Sequence, residues 1–296
     1  MFAIIGATGR VGGAAARELR RRGRAVRAVV RDPGRAGALA EAGCEVAVAD
    51  IADAPALTAA LRGAEGVLAI VPLPPSRGDA AAEVRGLVGS LARSLQAARP
   101  PRTVAISDYG AQHAAGTGIT LLFHQLEQRL GGLPGIAFLR SAEHMENWAR
   151  SLRTVMATGV LASLHHPLDK RFPTVSAPDI GLIAADLLES AEAPPPILHA
   201  EGPQRYTALD VAAALAGPLG RPVQAVALPR GQWDQALAAG GLSEGYVRLI
   251  TELYDAHNAG RIEAEGGEVR RGTTPLAEVL AALVRRMASS GISNNN

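Results

Sequence analysis

Apolar and polar positions alternate between two patterns along the first half of the chain. Short, mostly apolar runs at residues 2–6, 25–30, 45–49, 66–71, 102–107 and 136–140 read as strands. Between them, residues 11–22, 34–42, 54–62, 79–98 and 118–131 read as helices, and Arg99-Pro100-Pro101 ends the longest. Strand and helix in alternation predict a parallel sheet with helices on both faces. Several of the strands are apolar at every position, as burial on both sides requires.

The pattern changes after about residue 142. Shorter strand-like pieces (172–175, 197–200, 223–227) are separated by helices at 178–190, 207–217, 231–239 and 244–258, with a stiff loop at Glu192-Ala193-Pro194-Pro195-Pro196. The predicted fold class is α/β, a doubly wound parallel sheet with a smaller C-terminal α+β lobe. Residues 1–142 form the first unit. Residues 143–288 form the lobe, expected to border a substrate cleft and to share elements with the main sheet, and 289–296 read as a disordered tail.

The first strand runs straight into Gly6-Ala7-Thr8-Gly9-Arg10-Val11-Gly12, and a helix follows. Glycines at this spacing let the backbone turn tightly and approach a pyrophosphate, which then rests on the free N–H groups of the helix N-terminus. The strand–turn–helix context turns a weak glycine motif into a dinucleotide-binding expectation, and the sheet into a Rossmann-type one. Gly6, Thr8, Gly9, Arg10, Val11 and Gly12 are the candidate cradle. The second strand ends at Arg31-Asp32, where this fold reads the ribose. Arg31 suits the 2′-phosphate of NADP(H), with Arg10 or Arg35 as further partners; Asp32 keeps NAD(H) open. Asp50, after the third strand, is a candidate for the adenine amino group or for capping the helix near residue 54. Val71 and Pro72 after the fourth strand, and Ser107 after the fifth, lie at strand carboxyl ends, where open α/β sheets bind ligands.

Composition narrows the partners. The net charge is +2, aromatic residues make up 3%, and the arginines at 17, 20, 21, 22 and 24 read as a solvated helix end. No basic stripe or stacking platform points to nucleic acid. Cys44 is the single cysteine, which excludes an internal disulfide and reads as a buried thiol. His165-His166 lacks further ligands at metal-binding spacing, so no metal is expected. Neither a signal peptide nor an apolar run of spanning length is visible, so a cytoplasmic location away from membranes is the expectation.

GATGRVG, VRAVVRDP, VAVADIAD, ISDYGAQ, FLRSAEHMENW, FPTVSAPDIGLIAADLL and ELYDAHNAGRI, in this order, resemble the NmrA-like group of atypical short-chain dehydrogenase/reductases over nearly the whole chain. The resemblance implies a Rossmann-type domain and a small lobe around a cleft, with NADP(H) preferred and NAD(H) possible. It implies an NADPH-dependent reductase of a quinone or similar small acceptor. Its alternative is a non-catalytic NADP(H) sensor that binds a protein partner.

The larger superfamily uses a Tyr-x3-Lys pair, which this chain cannot supply. Its only lysine is Lys170, preceded four residues earlier by His166, and Tyr109 is followed four residues later by His113. Tyr109, His113 and His124 are the candidate catalytic proton donors or oxyanion partners. By resemblance, His124 lies on the helix that carries the superfamily's pair. His144, Asn147 and Trp148, after the sixth strand, border the cleft by the same resemblance, while Trp233, Tyr254 and His257 read as core of the lobe.

Overall fold

A computed structural model describes residues 1–73 and 79–292. The first half alternates as its sequence predicts. β1 (Phe2–Ile5) leads to α1 (Arg10–Arg21), then β2 (Val26–Val30), the short α2 (Gly37–Glu41), β3 (Glu45–Val48) and α3 (Ala54–Leu61). β4 (Gly66–Ala69), α4 (Ala80–Ala98), β5 (Arg102–Asp108), α5 (Thr120–Leu130) and β6 (Ile136–Ser141) complete that half. The expected helix from 118 begins two residues later. Gly118 takes φ +56, and a Cβ there would lie 2.0 Å from the Leu249 carbonyl oxygen, so it ends the preceding loop.

The second half opens with β7 (Glu143–His144), α6 (Ala149–Thr158), β8 (Val160–Ser163) and β9 (Thr174–Val175). α7 (Ala177–Glu189), β10 (Ile197–Glu201), α8 (Ala208–Leu219) and β11 (Gln224–Ala227) follow, then α9 (Trp233–Ala239), α10 (Glu244–Asn258), β12 (Val269–Arg271) and α11 (Leu276–Ile292). β7, α6, β8, β12 and α11 had no counterpart in the sequence reading. Because α11 reaches Ile292, residues 289–292 are helical and correct the expected start of the tail; 293–296 lie outside the described residues.

The main sheet has eight strands in the order β12-β10-β6-β5-β4-β1-β2-β3, every pairing parallel. Its reversal point lies between β1 and β4, whose neighbours run in opposite directions across the sheet. β10 and β12 return from the second half to extend this sheet, while β8–β11 and β7–β9 form separate two-stranded ribbons.

One face of the sheet is covered by α1 and α7, the other by α3, α4 and α5. Small residues set the first layer. A Cβ on Gly181 of α7 would lie 2.3 Å from the Val11 carbonyl oxygen and 2.8 Å from the Ala14 Cβ, so α7 crosses α1 almost at backbone contact. That crossing fixes the N-terminus of α1 against the sheet. A separate apolar cluster under α6, α8 and α11, with Met145, Trp148, Phe172 and Tyr206, is the core of the lobe.

Candidate active site

β1 delivers the chain to Gly6, whose φ of +76 starts the turn beside Ile70 at the end of β4. The Gly9 N–H donates to the Gly6 carbonyl at 2.9 Å and closes the turn. Gly9 caps α1 with extended backbone; no side chain caps it, and the first turn holds no acidic residue. The leading N–H groups are therefore available to an anion, on the side the helix dipole favours. A Cβ on Gly12 would lie 2.5 Å from the Gly6 carbonyl oxygen and 3.0 Å from the Ala7 Cα. Glycine alone permits this approach of helix to turn. Thr8, Gly9 and Arg10 are exposed at the lip, and Val11 is buried beneath them. These residues fit a bound pyrophosphate.

Arg31 lies just past β2, exposed, with no hydrogen bond or ion pair of its side chain among the described residues. Asp32 is turned into its own loop, accepting the Gly34 N–H at 2.9 Å and capping a single 3-10 turn over 33–35. Geometry thus separates the two candidate ribose readers: the guanidinium is free and the carboxylate accepts from its own loop. Arg10 and Arg35 are likewise exposed. Asp50 is exposed and accepts the Ala52 N–H at 2.8 Å. The cap near residue 54 is Asp53, which accepts the Ala56 N–H at 3.0 Å, so the capping role considered for Asp50 belongs to its neighbour.

Below the turn a cavity of about 450 Å³ opens along the carboxyl ends of β4, β5 and β6. Val11, Ile70, Val71, Pro72, Leu73 and Ile106 form one wall, and Ile119 and Phe123 another. α10 lays Tyr246, Ile250, Leu253, Tyr254 and His257 over the top, a single stripe at helical spacing. The exposed wall is mainly apolar, with polar side chains set into it. Ser107 lines the wall, but its hydroxyl donates to Glu127 at 2.5 Å, and Glu127 is held by Arg140 through two bonds of 2.9 and 2.7 Å.

Asp108, next along β5, also faces the cavity. Burial, with the nearby Glu143 and Glu127 charges, pushes its carboxyl up to about 7, against the hydrogen bond it accepts from Thr120 at 2.7 Å. His144 is in reach of Ser141 at 3.4 Å, and burial, with Arg10, pulls its imidazole down to about 4, so it is neutral at pH 7. At the lobe side Glu143 accepts from Tyr254 at 2.7 Å and pairs with His165 at 2.9 Å. Burial opposes ionisation of Glu143, yet His165, His257 and Tyr254 hold it far below the usual carboxylate range.

The three catalytic candidates do not meet here. Tyr109 is fully buried and turned the other way, donating to Glu201 at 3.1 Å with its ring edge on His199. Burial and Glu201 raise its phenol far above its usual range. His113 bonds the Arg261 carbonyl at 3.1 Å and His124 the Ala111 carbonyl at 2.8 Å, both outside the cavity lining. Each is a loop tie. Lys170 donates to the His257 and Asn258 carbonyls at 2.9 and 2.8 Å, capping the C-terminus of α10. His144 and Asn147 do line the cavity; Trp148 packs in the lobe core instead. Tyr254 and His257, expected as core, border the cleft, and Asp108 was missed. All three stand within stretches that carry the family resemblance, ISDYGAQ and ELYDAHNAGRI, which is the signal that could have found them.

Among the described residues no helix is long and apolar enough to cross a membrane, and no group of three or more His, Cys, Asp or Glu side chains could hold a metal ion. Residues 6–151 match the family model described as NAD(P)H-binding. An NAD(P)H azoreductase of Xenophilus azovorans is 26% identical over 86% of this chain and 86% of its own. Quinone oxidoreductase 2 of Escherichia coli (strain K12) is 26% identical over 85% of this chain and 86% of its own. An NADPH-dependent quinone oxidoreductase from Escherichia coli, solved with NADPH, superposes with a TM-score of 0.77 at 25% identity, covering 96% of this chain and 99% of that one. The fold is also that of a Citrobacter sp. triphenylmethane reductase, with a TM-score of 0.80 at 20% identity over 96% of this chain and 99% of that one. With the uncapped helix above the glycine turn and the free Arg31 beside it, these likenesses identify residues 6–151 as an NAD(P)H-binding domain and support the resemblance of the chain to the NmrA-like group of atypical short-chain dehydrogenase/reductases.

Proposed function

We propose that this protein is an NADPH-dependent reductase of flat, small acceptors of the quinone kind. The observation that carries this reading is the mainly apolar cavity of about 450 Å³ directly below the glycine turn, into whose wall Asp108 sets a carboxyl held protonated to higher pH than usual, while Glu143 on the lobe side stays ionised. Its volume lies in the ordinary range for small-molecule pockets, roughly 300–1,000 Å³. Both curated relatives carry names of NAD(P)H-linked or quinone reductions, which favours the reductase over the sensor.

Bound NADPH supplies the hydride. The chain's own residues do the rest. Gly6, Gly9 and the first turn of α1 seat the pyrophosphate, and Arg31 takes the 2′-phosphate. Val71, Pro72 and Ile106 exclude water and hold the acceptor flat against the reacting face. Hydride addition leaves a negative charge on the acceptor oxygen, which Asp108, in the protonated form that its raised pKa of about 7 keeps substantially populated near neutral pH, neutralises by giving up its proton. No Tyr-x3-Lys pair is needed, because the acceptor's own conjugation spreads the charge.

Two measurements check this reading. Wild-type protein should oxidise NADPH in the presence of 1,4-benzoquinone or a naphthoquinone; tight NADPH binding with no acceptor reduced anywhere in a quinone panel overturns it. Arg31→Ala should weaken NADPH by about tenfold or more, as loss of a charge-assisted phosphate contact does, and leave NADH nearly unchanged. Equal losses for the two coenzymes refute the 2′-phosphate role.

A further inference from the structure

Beside the cleft lies a second cavity of about 650 Å³ that shares Glu143, Asn147, Arg150 and Tyr254 with it. Its remaining walls come from the lobe: Trp148 and α6 on one side, Val160 and Ala162 of β8 below, Ala236 and Leu237 of α9 opposite, and Met287 of α11. These walls are mainly apolar. Two cations break the pattern. Arg150 and Arg153 stand three residues apart on α6, on one face of that helix, and both line the cavity.

Neither guanidinium has a carboxylate within ion-pairing distance among the described residues. Arg150 reaches the Asn147 side-chain oxygen at 3.3 Å and the Tyr254 hydroxyl; the Arg153 side chain has no hydrogen-bond or ion-pair partner among the described residues. Glu143, the carboxylate at the shared wall, is already engaged by His165 and Tyr254. Two like charges one helical turn apart repel each other. An apolar chamber carrying two unneutralised guanidiniums is built for an aromatic body with an anionic group, since guanidinium forks recognise carboxylate, sulfonate and phosphate oxygens.

We infer that this second cavity is a distal subsite of the acceptor site, in which Arg150 and Arg153 select aromatic acceptors bearing an acidic substituent. Asn147 and Tyr254, on the shared wall, mark the passage between the reacting ring and the anionic end. The inference rests on the reductase reading of the cleft, so its test is a binding experiment that needs no turnover. NADP⁺-loaded protein is titrated calorimetrically with naphthalene-2-sulfonate and with its neutral counterpart naphthalene-2-sulfonamide. The wild type should bind the sulfonate about tenfold tighter, the scale of one charge-assisted contact. Arg153→Gln should remove most of that preference, and Arg150→Gln with Arg153→Gln all of it, while sulfonamide affinity stays put. Both variants change exposed side chains, and unchanged melting temperatures verify their folding. Equal affinity of the wild type for the two probes, or a sulfonate preference that survives the double substitution, overturns the subsite. Failure of quinone reduction with the sulfonate preference intact would overturn the reductase reading alone; turnover without any preference would overturn the subsite alone.

Discussion

Replacing Gly12 by valine is expected to lower NADPH affinity by at least two orders of magnitude and to destabilise the fold. The Cβ alone would lie 2.5 Å from the Gly6 carbonyl oxygen, 2.9 Å from its carbon and 3.0 Å from the Ala7 Cα. All three are backbone atoms, and none can swing aside as a side-chain end would. α1 cannot retreat either, because Gly181 of α7 sits with its would-be Cβ 2.3 Å from the Val11 carbonyl oxygen on the outer side. The helix is clamped between the turn and α7, so the clash must open the turn itself. Overpacking of a tight site costs typically about 1–3 kcal/mol in stability, and the turn it distorts is the anion cradle. Gly86→Ala in α4 is the matched control. Its added Cβ meets nothing within 4 Å, so helix propensity should make that variant neutral or more stable by up to about 1 kcal/mol. Thermal denaturation and coenzyme titration of the two variants check both signs. A Gly12→Val protein that binds NADPH as the wild type does would remove the cradle from this account.

The strand–helix alternation that builds the first six strands was legible because each strand is short, apolar and bounded by turn residues, and each helix carries its own period. The glycine turn was legible for the same local reason. What escaped was set by tertiary contact. Residues 149–158 hold Arg150, Arg153 and small polar residues that pattern poorly, yet α6 forms by packing Leu152 and Val155 into the lobe core. β12 is three residues long and exists by pairing with β10. The direction in which a side chain leaves a strand end was equally invisible. Asp108 is the last residue of β5 and Tyr109 follows it, yet the first faces the cleft and the second turns away to Glu201, and the sequence reading chose the phenol. Tyr254 and His257 looked like core because an apolar helical stripe reads the same over a core and over a cleft.

Asp108→Asn is expected to reduce kcat for quinone reduction by about a hundredfold, the lower end of what a positioned proton donor contributes, while the NADPH dissociation constant stays unchanged. The amide preserves the shape and can still accept from Thr120, but it has no proton to give. The sign with pH follows from the raised pKa. With the folded-state carboxyl at about 7 against an ordinary 3.8, the donor is protonated below pH 7 and lost above it, so wild-type kcat should fall as pH rises through 7. The asparagine variant should lack that descent. Stability supplies an independent readout. A raised carboxyl pKa stabilises the fold fully below the unfolded value near 3.8, and this contribution disappears as pH climbs to about 7. Asp108→Asn removes a buried charge at pH 8, and its melting temperature should rise there relative to the wild type and less so at pH 5. Ser107 and Tyr109 flank the position but cannot substitute: one hydroxyl is spent on Glu127 and the other on Glu201. If Asp108→Asn keeps both the rate and the pH profile of the wild type, the proton reaches the acceptor from elsewhere, and Tyr254, joined to Glu143 at 2.7 Å on the opposite wall, becomes the group to replace next.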